Sequence, residues 1–576
     1  MRERISESIM RNISSGELKS ASLSDLKKIC GQLREEIVQT VSVCGGHLSS
    51  NLGTVELTVA LHRVFSFPQD KIVFDVGHQC YAHKLLSGRA EKFHTLRQEG
   101  GISGFPKRAE SEYDCYDTGH AGTAISAALG IAKARDLKGE NFNVIALVGD
   151  GAFNNGLIYE ALNSLKILNT NVLILLNDNG MSISPTVGGT HEVLAEMKDA
   201  LNEEDVRLFE RYGLTYTGVF NGNDLGELIP ALQDAKEKLQ CGCVLMHVST
   251  RKGQGHPFCE NAPVQTHGVS VRSDGKEYSR ALGEELCDLA ARNPRIVAVT
   301  AAMTDSLGLR GFFERYPERA FDVGICEEHA SVLCAAMATE GMKPYYAIYS
   351  TFLQRAFDEI IHDVCGQNLP VTFCIDRAGI TGADGETHQG VFDLSYLSFI
   401  PNLAIGVPKD IGEFRAMMRA SEEYAKPFAI RYPRTGCEGE ITSVQIGKFE
   451  ILHSTLSDVI VLAAGERCIG LAREALKQLQ GEAEFTLINA RFIKPLDEEM
   501  LSSRKEKYVV TVEDNAVRGG LGDAINKFYL NSGKQIVNIG YREAFIPHGE
   551  PRALAKEYGV SAEAIVSAVR GFYARG

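Results

Sequence analysis

The sequence predicts an α/β protein built from three doubly wound α/β units. Three observations carry this expectation. Continuous apolar runs of strand length end in turn residues, as in NVIALVGDG (143–151) and NVLILLNDNG (171–180). Segments of helical period lie between them, as in GLIYEALNSLKIL (156–168). The same alternation resumes after each of two segments that read as linkers. Strands lacking polar alternation and joined by helices belong to parallel sheets covered on both faces. At roughly 150 residues per domain, 576 residues suggest three or four domains.

Taken in order, residues 1–40 read as a polar helical arm. KIVFDVGH (71–78) is a strand ending in a functional loop, and GHAGTAISAALGIAKARD (119–136) is an Ala-rich helix opened by small residues. Residues 253–278 are rich in Gly, Pro and polar side chains and read as a surface linker. A second α/β pattern runs through RIVAVTAAM, FDVGICEEHASVLCAAMATEG, PYYAIYS and PVTFCIDR. Residues 433–456 read as a second linker. The third unit opens at DVIVLAAG (458–465) and continues through FTLINARFI and YVVTVEDN. The expected domains are 1–265, 266–440 and 441–576.

Composition narrows the function classes. Hydrophobic residues at 44% and charged residues at 23% are an ordinary globular mix, so disorder is not the dominant state. The net charge of −14 makes the chain a poor general nucleic-acid binder. An anionic substrate must instead meet a local cationic pocket. The 14 cysteines include no CxxC pair, and Cys241-Gly-Cys243 is too isolated for a tetrahedral zinc site. Cys334 and Cys374 lie in apolar runs and read as core residues. No disulfide framework, secretory signal or run of 18 apolar residues is visible. A cytoplasmic location without membrane partners is therefore expected.

The strongest motif is Gly149-Asp150-Gly151 followed by Asn177-Asp178-Asn179. Each falls just past an apolar strand, with one helix between, so a parallel sheet sets the two tips side by side. A hard cation such as Mg²⁺ takes oxygen ligands. Asp150 offers a carboxylate, Asn179 an amide oxygen and Met181 a backbone carbonyl, with a diphosphate filling most remaining positions. The glycines, with Ala152 beside them, let backbone N–H groups approach that diphosphate. Taken singly, both motifs are ordinary post-strand turns. Together, in this order, they are the signature of thiamine-diphosphate enzymes. Such a cofactor needs a carboxylate to exchange a proton with its aminopyrimidine ring. Glu327, in FDVGICEEHA, is the candidate, and burial there should raise its pKa. The plainer reading is that Glu327-Glu328 is an acidic first helical turn.

Longer segments carry a family resemblance. CGGHLSSNLGTVELTVALH (44–62), FDVGHQCYAHKLLSGR (74–89), GGISGFPKRAESEYD (100–114), AIYSTFLQRAFDEIIHDV (347–364) and IDRAGITGADGETHQGVFDLSYL (375–397) resemble the 1-deoxy-D-xylulose-5-phosphate synthases, a transketolase-like thiamine-diphosphate enzyme family. The likeness runs from about residue 40 to the C-terminus. It implies a thiamine-diphosphate-binding fold with a diphosphate domain, a pyrimidine domain and a C-terminal domain. It implies decarboxylative condensation of pyruvate with D-glyceraldehyde 3-phosphate, giving 1-deoxy-D-xylulose 5-phosphate and CO₂. It also implies a transferase that opens the non-mevalonate route to isoprenoids and feeds thiamine biosynthesis, and a homodimer.

By position, the resemblance places His47, His78 and Gly119-His120-Ala121 around the cofactor and donor, with Lys252 and His267 near the linker. Ile325 and Phe352 flank the pyrimidine. Tyr349, Arg377 and Arg431 form the acceptor's phosphate clamp, with Asp384 and His388 nearby. His47 or His388 would protonate the new alkoxide. Arg431 has a plainer reading as an interdomain ion pair, and Asp384 as a turn residue. Four departures from the family pattern stand out: the short segment after MSISPTVGG (181–189), Glu328 where Gln is usual, Asn51 and Lys107. The alternatives are a transketolase-type enzyme moving a ketol unit between sugar phosphates, and a cofactor-binding scaffold without turnover.

Overall fold

The computed structural model describes residues 15–199, 203–269 and 276–574. Their contacts divide into two units. The first is Met1–Arg272 with Gly324–Cys326, and the second is Ser273–Val323 with Glu327–Gly576.

The first unit is organised by a five-stranded sheet of β1 (Lys71–Phe74), β2 (Val144–Gly149), β3 (Leu173–Asp178), β4 (Leu214–Asn221) and β5 (Cys243–Ser249). The spatial order is β1-β2-β3-β5-β4 and every pairing is parallel. β2 and β3 are buried almost throughout, which is why they read as unbroken apolar runs. The helix Ala124–Lys138 ends at left-handed Gly139. The helix Gly156–Leu168 is capped by Asn155, whose side chain accepts from Leu157 N, and buries Ile158, Ala161, Leu162 and Leu165 at helical spacing.

The opening segment differs from the expected polar arm. The helix Leu23–Cys44 buries Leu26, Cys30, Leu33, Ile37 and Val41, which join the unit's core. Glu36 and Thr40 are buried with them, and most of the other polar residues face outward. Residues 1–14 lie outside the described residues.

The second unit opens with a two-residue strand, β6 (Lys276–Glu277). Its main sheet has seven strands: β7 (Ile296–Thr300), β8 (Ala320–Asp322), β9 (Lys343–Tyr349), β10 (Thr372–Asp376), β11 (Ala404–Gly406), β12 (Phe428–Arg431) and β17 (Phe492–Lys494). Their order is β17-β11-β12-β10-β9-β7-β8, parallel except for β17. β13 (Thr435–Gly436) pairs antiparallel with β6. A third sheet holds β14 (Glu450–His453), β15 (Val459–Ala464), β16 (Thr486–Asn489), β18 (Tyr508–Ala516) and β19 (Gln535–Tyr541), in the order β14-β16-β15-β18-β19.

Two expectations need correction here. Residues 433–456 are not a plain linker, because they contain β13 and the antiparallel edge strand β14. FTLINARFI is not one strand. It breaks after Asn489, and Phe492–Lys494 crosses over to pair with β11 in the neighbouring sheet. That crossing ties the last part of the chain to the second sheet. Among the described residues, no helix is long and apolar enough to cross a membrane, and the 14 cysteines are all free thiols.

Candidate active site

In the first unit, the register sets Gly149 beside Asn177 on adjacent parallel strands. The residues that follow therefore meet at one sheet edge. Asp150 is buried. Its Oδ1 accepts from Asn179 N at 3.3 Å and its Oδ2 from Thr186 Oγ1 at 2.8 Å. Asn179 Oδ1 accepts from Met181 N at 3.1 Å, and Met181 forms an isolated bridge with Pro185. Burial, followed by the neighbouring Asp178, pushes the Asp150 carboxyl up to about 6. Lys252 is also buried and donates to the Ser182 carbonyl. Burial brings its ammonium down to about 8, against the pull of Asp150.

A carboxylate and an ammonium both withdrawn from water beside an Asn amide suit a cation carrying an anion. Among the described residues, no group of three or more His, Cys, Asp or Glu could hold a metal ion. The set here has one carboxylate, and diphosphate oxygens would complete the shell. A Cβ on Gly149 would meet nothing within 4 Å, so its backbone faces open space, whereas one on Gly151 would press on Ser182. Ala152 is buried and begins the single turn Ala152–Asn154.

Three of the expected histidines gather in this unit. The His47, His78 and His267 rings have centroids 5.4 Å apart for each pair. Burial, then the positive charge of Lys252, holds His267 well below its ordinary value. Asn51 organises the group. Its Nδ2 donates to the carbonyls of His47 at 2.6 Å and His78 at 2.7 Å, and its Oδ1 accepts from Tyr81 N at 2.8 Å. Asp75, just past β1, accepts from Gly122 N at 2.8 Å and Ala124 N at 3.1 Å, which fixes the turn carrying Gly119, His120 and Ala121. Lys107 takes part through its backbone, donating to Asp114 at 2.8 Å. The Ile325 carbonyl accepts from Asn155 Nδ2 at 2.9 Å.

Lys252 and His267 arrive by a route that differs from a surface linker. Ser49 N donates to Thr266 O at 3.0 Å, Gly253 N to Ser49 O at 2.8 Å, and Gly46 bridges Val269. The short helix Pro257–Asn261 buries Cys259 completely. The stretch 252–269 is thus packed onto the His47 loop. Residues 270–275 lie outside the described residues.

In the second unit, Glu327 begins the helix Glu327–Thr339. It is 4% exposed, and its Oε2 is buried without a hydrogen-bond partner among the described residues. Arg355 Nη1 stands 3.9 Å away. Burial pushes the carboxyl up to about 7, with Arg355 opposing and Glu328 adding to the rise. A buried carboxyl near neutrality, with one oxygen lacking a hydrogen bond, fits a partner with a ring nitrogen that takes and returns a proton.

Tyr349 and Arg377 sit at the carboxyl ends of adjacent strands, where Asp376 pairs with Tyr349. The Tyr349 ring stacks on Phe352 at 5.5 Å, and Phe352 meets His388 edge-on at 5.6 Å. Thr387 Oγ1 lies 2.8 Å from His388 Nδ1. Asp384 is among the negative groups acting on Arg377. The loop 377–392 is backed by the last part of the chain. Arg467 Nη2 donates to Ile380 O at 3.0 Å, Gln389 Nε2 to Pro547 O at 3.0 Å, and Gly549 N to Gly382 O at 3.3 Å.

Arg431 is a correction. It is 3% exposed, its Nε donates to Asp393 at 2.8 Å, and its Nη2 donates to Gly390 O at 3.1 Å and Asp514 O at 2.6 Å. A guanidinium committed in this way braces the loop, the role of the plainer ion-pair reading. Arg434, three residues on, is the second cation of the cluster. Its side chain is 39% exposed, and its charge acts on both Tyr349 and Asp376. Sequence reasoning passed over Arg434, because both arginines stand in RYPR and only the structure shows the strand ending at Arg431. Ser306, hydrogen-bonded with Tyr349, carried no signal.

The chain matches known families along most of its length. A family model described as 1-deoxy-D-xylulose-5-phosphate synthase matches residues 10–207 and 196–250. The transketolase pyrimidine binding domain matches 274–438, and the transketolase C-terminal domain matches 447–565. These matches and the parallel sheets define a transketolase-class enzyme. Relatives named 1-deoxy-D-xylulose-5-phosphate synthase come from Dictyoglomus thermophilum, 44% identical over 96% of this chain and 97% of that one, and from Clostridium tetani, 42% identical with the same coverage. The chain belongs to the 1-deoxy-D-xylulose-5-phosphate synthase family. Among solved structures, a transketolase from Campylobacter jejuni is 18% identical, covering 96% of this chain and 100% of that one, with a TM-score of 0.46.

Proposed function

We propose that the chain condenses pyruvate with D-glyceraldehyde 3-phosphate, releasing CO₂ and forming 1-deoxy-D-xylulose 5-phosphate. Thiamine diphosphate and Mg²⁺ are the cofactors, and the working form is a cytoplasmic homodimer of three domains, 1–265, 266–440 and 441–576. The family relatives support the overall reaction. The single structural observation that carries the reading is Glu327, a carboxyl buried at a helix start with one oxygen lacking a hydrogen bond among the described residues.

Asp150, Asn179 and the Met181 carbonyl would hold the cation, and Lys252 would face the diphosphate. The cofactor supplies a nucleophilic carbon and an electron sink for decarboxylation. The remaining work falls to the chain. Glu327 holds and returns a proton at the ring nitrogen of the cofactor. His47, His78 and His267 line the donor side, with His120 nearby. Arg377 and Arg434 grip the phosphate of the triose, so remote binding energy orients its aldehyde. His47 or His388 gives a proton to the new alkoxide, and Asp384 steadies the acceptor loop.

Incubation with pyruvate, D-glyceraldehyde 3-phosphate, Mg²⁺ and thiamine diphosphate, followed by product identification, tests the reading. One CO₂ per five-carbon product is expected. Ketol transfer between sugar phosphates without CO₂ would establish a transketolase instead. Omitting the phosphotriose shows whether decarboxylation waits for the acceptor.

A further inference from the structure

The short segment after Met181 lies against the candidate metal loop at both of its ends. At the near end, the Ser182 carbonyl takes the Lys252 ammonium, and Thr186 N donates to Gly180 O at 3.1 Å. Thr186 Oγ1 donates to Asp150 Oδ2 at 2.8 Å. At the far end, the helix Gly189–Asp199 buries Leu194 and Met197 in the core. That packing aims Lys198 Nζ at Asp178 Oδ1, 2.9 Å away. Asp178 is the middle residue of Asn177-Asp178-Asn179 and is 1% exposed. Its Oδ1 also accepts from Gly180 N at 3.0 Å, on the far side of Asn179. Its Oδ2 meets His247 Nε2 at 3.0 Å, and His247 Nδ1 meets Tyr216 Oη at 3.1 Å. The Tyr216 ring stacks on Phe209 at 5.6 Å, from the helix Glu203–Tyr212.

We propose that this segment braces the metal–diphosphate loop, with Lys198 acting through Asp178 and Thr186 acting through Asp150 as positioning residues. Asn179 is flanked by Asp178 and Gly180, and both are held by one carboxylate that Lys198 pins. The Asp150 carboxylate is held by Thr186 at one oxygen and the Asn179 backbone at the other. A cation site needs its ligands oriented before binding, and partners behind the ligands supply that orientation. The inference rests on the proposed use of Mg²⁺ and thiamine diphosphate.

Calorimetry on the full chain, titrating thiamine diphosphate at a series of Mg²⁺ concentrations, tests it. Lys198→Met and Thr186→Val should each raise the apparent Kd for Mg²⁺ about tenfold or more, while Lys198→Arg restores most of the affinity. The KM for pyruvate at saturating cofactor should move much less than that Kd. A folded Lys198→Met protein with unaltered Mg²⁺ affinity overturns the brace, as does Lys198→Arg falling as far as Lys198→Met. If Lys198→Met does not fold, Thr186→Val decides by the same measure. No cofactor uptake by the unaltered chain would overturn the functional reading and the brace together. Normal uptake by the unaltered chain and both variants would overturn the brace alone.

Discussion

The Arg377 guanidinium lies over the Tyr349 ring, 3.9 Å from its centroid. The ring and the strand register together fix a cation that is otherwise long and flexible. Arg377→Ala should raise the KM for the phosphotriose by roughly tenfold to a hundredfold, the range for a lost charged hydrogen bond. The KM for pyruvate should change far less. Steady-state kinetics with each substrate varied in turn checks this, and equal effects on both would remove Arg377 from the phosphate site.

Arg434 and Arg431 should part company. Arg434→Ala should resemble Arg377→Ala, raising the phosphotriose KM with little loss of stability. Arg431→Ala strips a buried partner from Asp393 and should cost about 3–5 kcal/mol of stability. Denaturant unfolding beside the kinetics separates the two.

Glu327 makes stability depend on pH. Its folded value, about 7, lies above the ordinary 4.5, so the fold holds a proton that the unfolded chain has released. Stability of the cofactor-free protein should therefore fall as pH rises from about 4.5 through about 7. Glu327→Gln should lessen that slope, to which the raised carboxyls of Asp150, Asp376 and Glu513 also contribute, and reduce turnover by orders of magnitude, while Mg²⁺-dependent cofactor binding persists. Thermal melts across the window and calorimetry supply the readings.

Asn51 is completely buried, with three hydrogen bonds to the backbone of His47, His78 and Tyr81. Asn51→Ala should cost about 1–3 kcal/mol and lower kcat by letting the two histidines drift. Ring proton shifts of His47 and His78, measured by NMR, should move in the variant.

The sheet and the meeting of Asp150 with Asn179 were legible because their signals are local. β2 and β3 are buried runs ending in turn residues, and parallel pairing places Asp150 near Asn179 without further information. The buried position of Glu327 at a helix start was legible for the same reason, since it is the first residue after a strand-to-helix turn. What escaped depended on packing between distant segments. Nothing local distinguishes Arg431 from Arg434, since only the fold shows which one Asp393 and Asp514 enclose. The 252–269 stretch looks like a linker in composition, and its burial depends on the loop around Ser49. Asn51 stood out by identity, but its role follows from carbonyls up to 27 positions away.

The backing that Arg467, Pro547 and Gly549 give to the 377–392 loop limits how the protein can be recombined. A chimera that borrows residues 441–576 from a distant homologue would keep every candidate side chain of the second sheet intact. It would nonetheless receive a foreign mould for the peptide bearing Asp384 and His388. Grafts should succeed only where the donor reproduces those three supports for the 377–392 peptide.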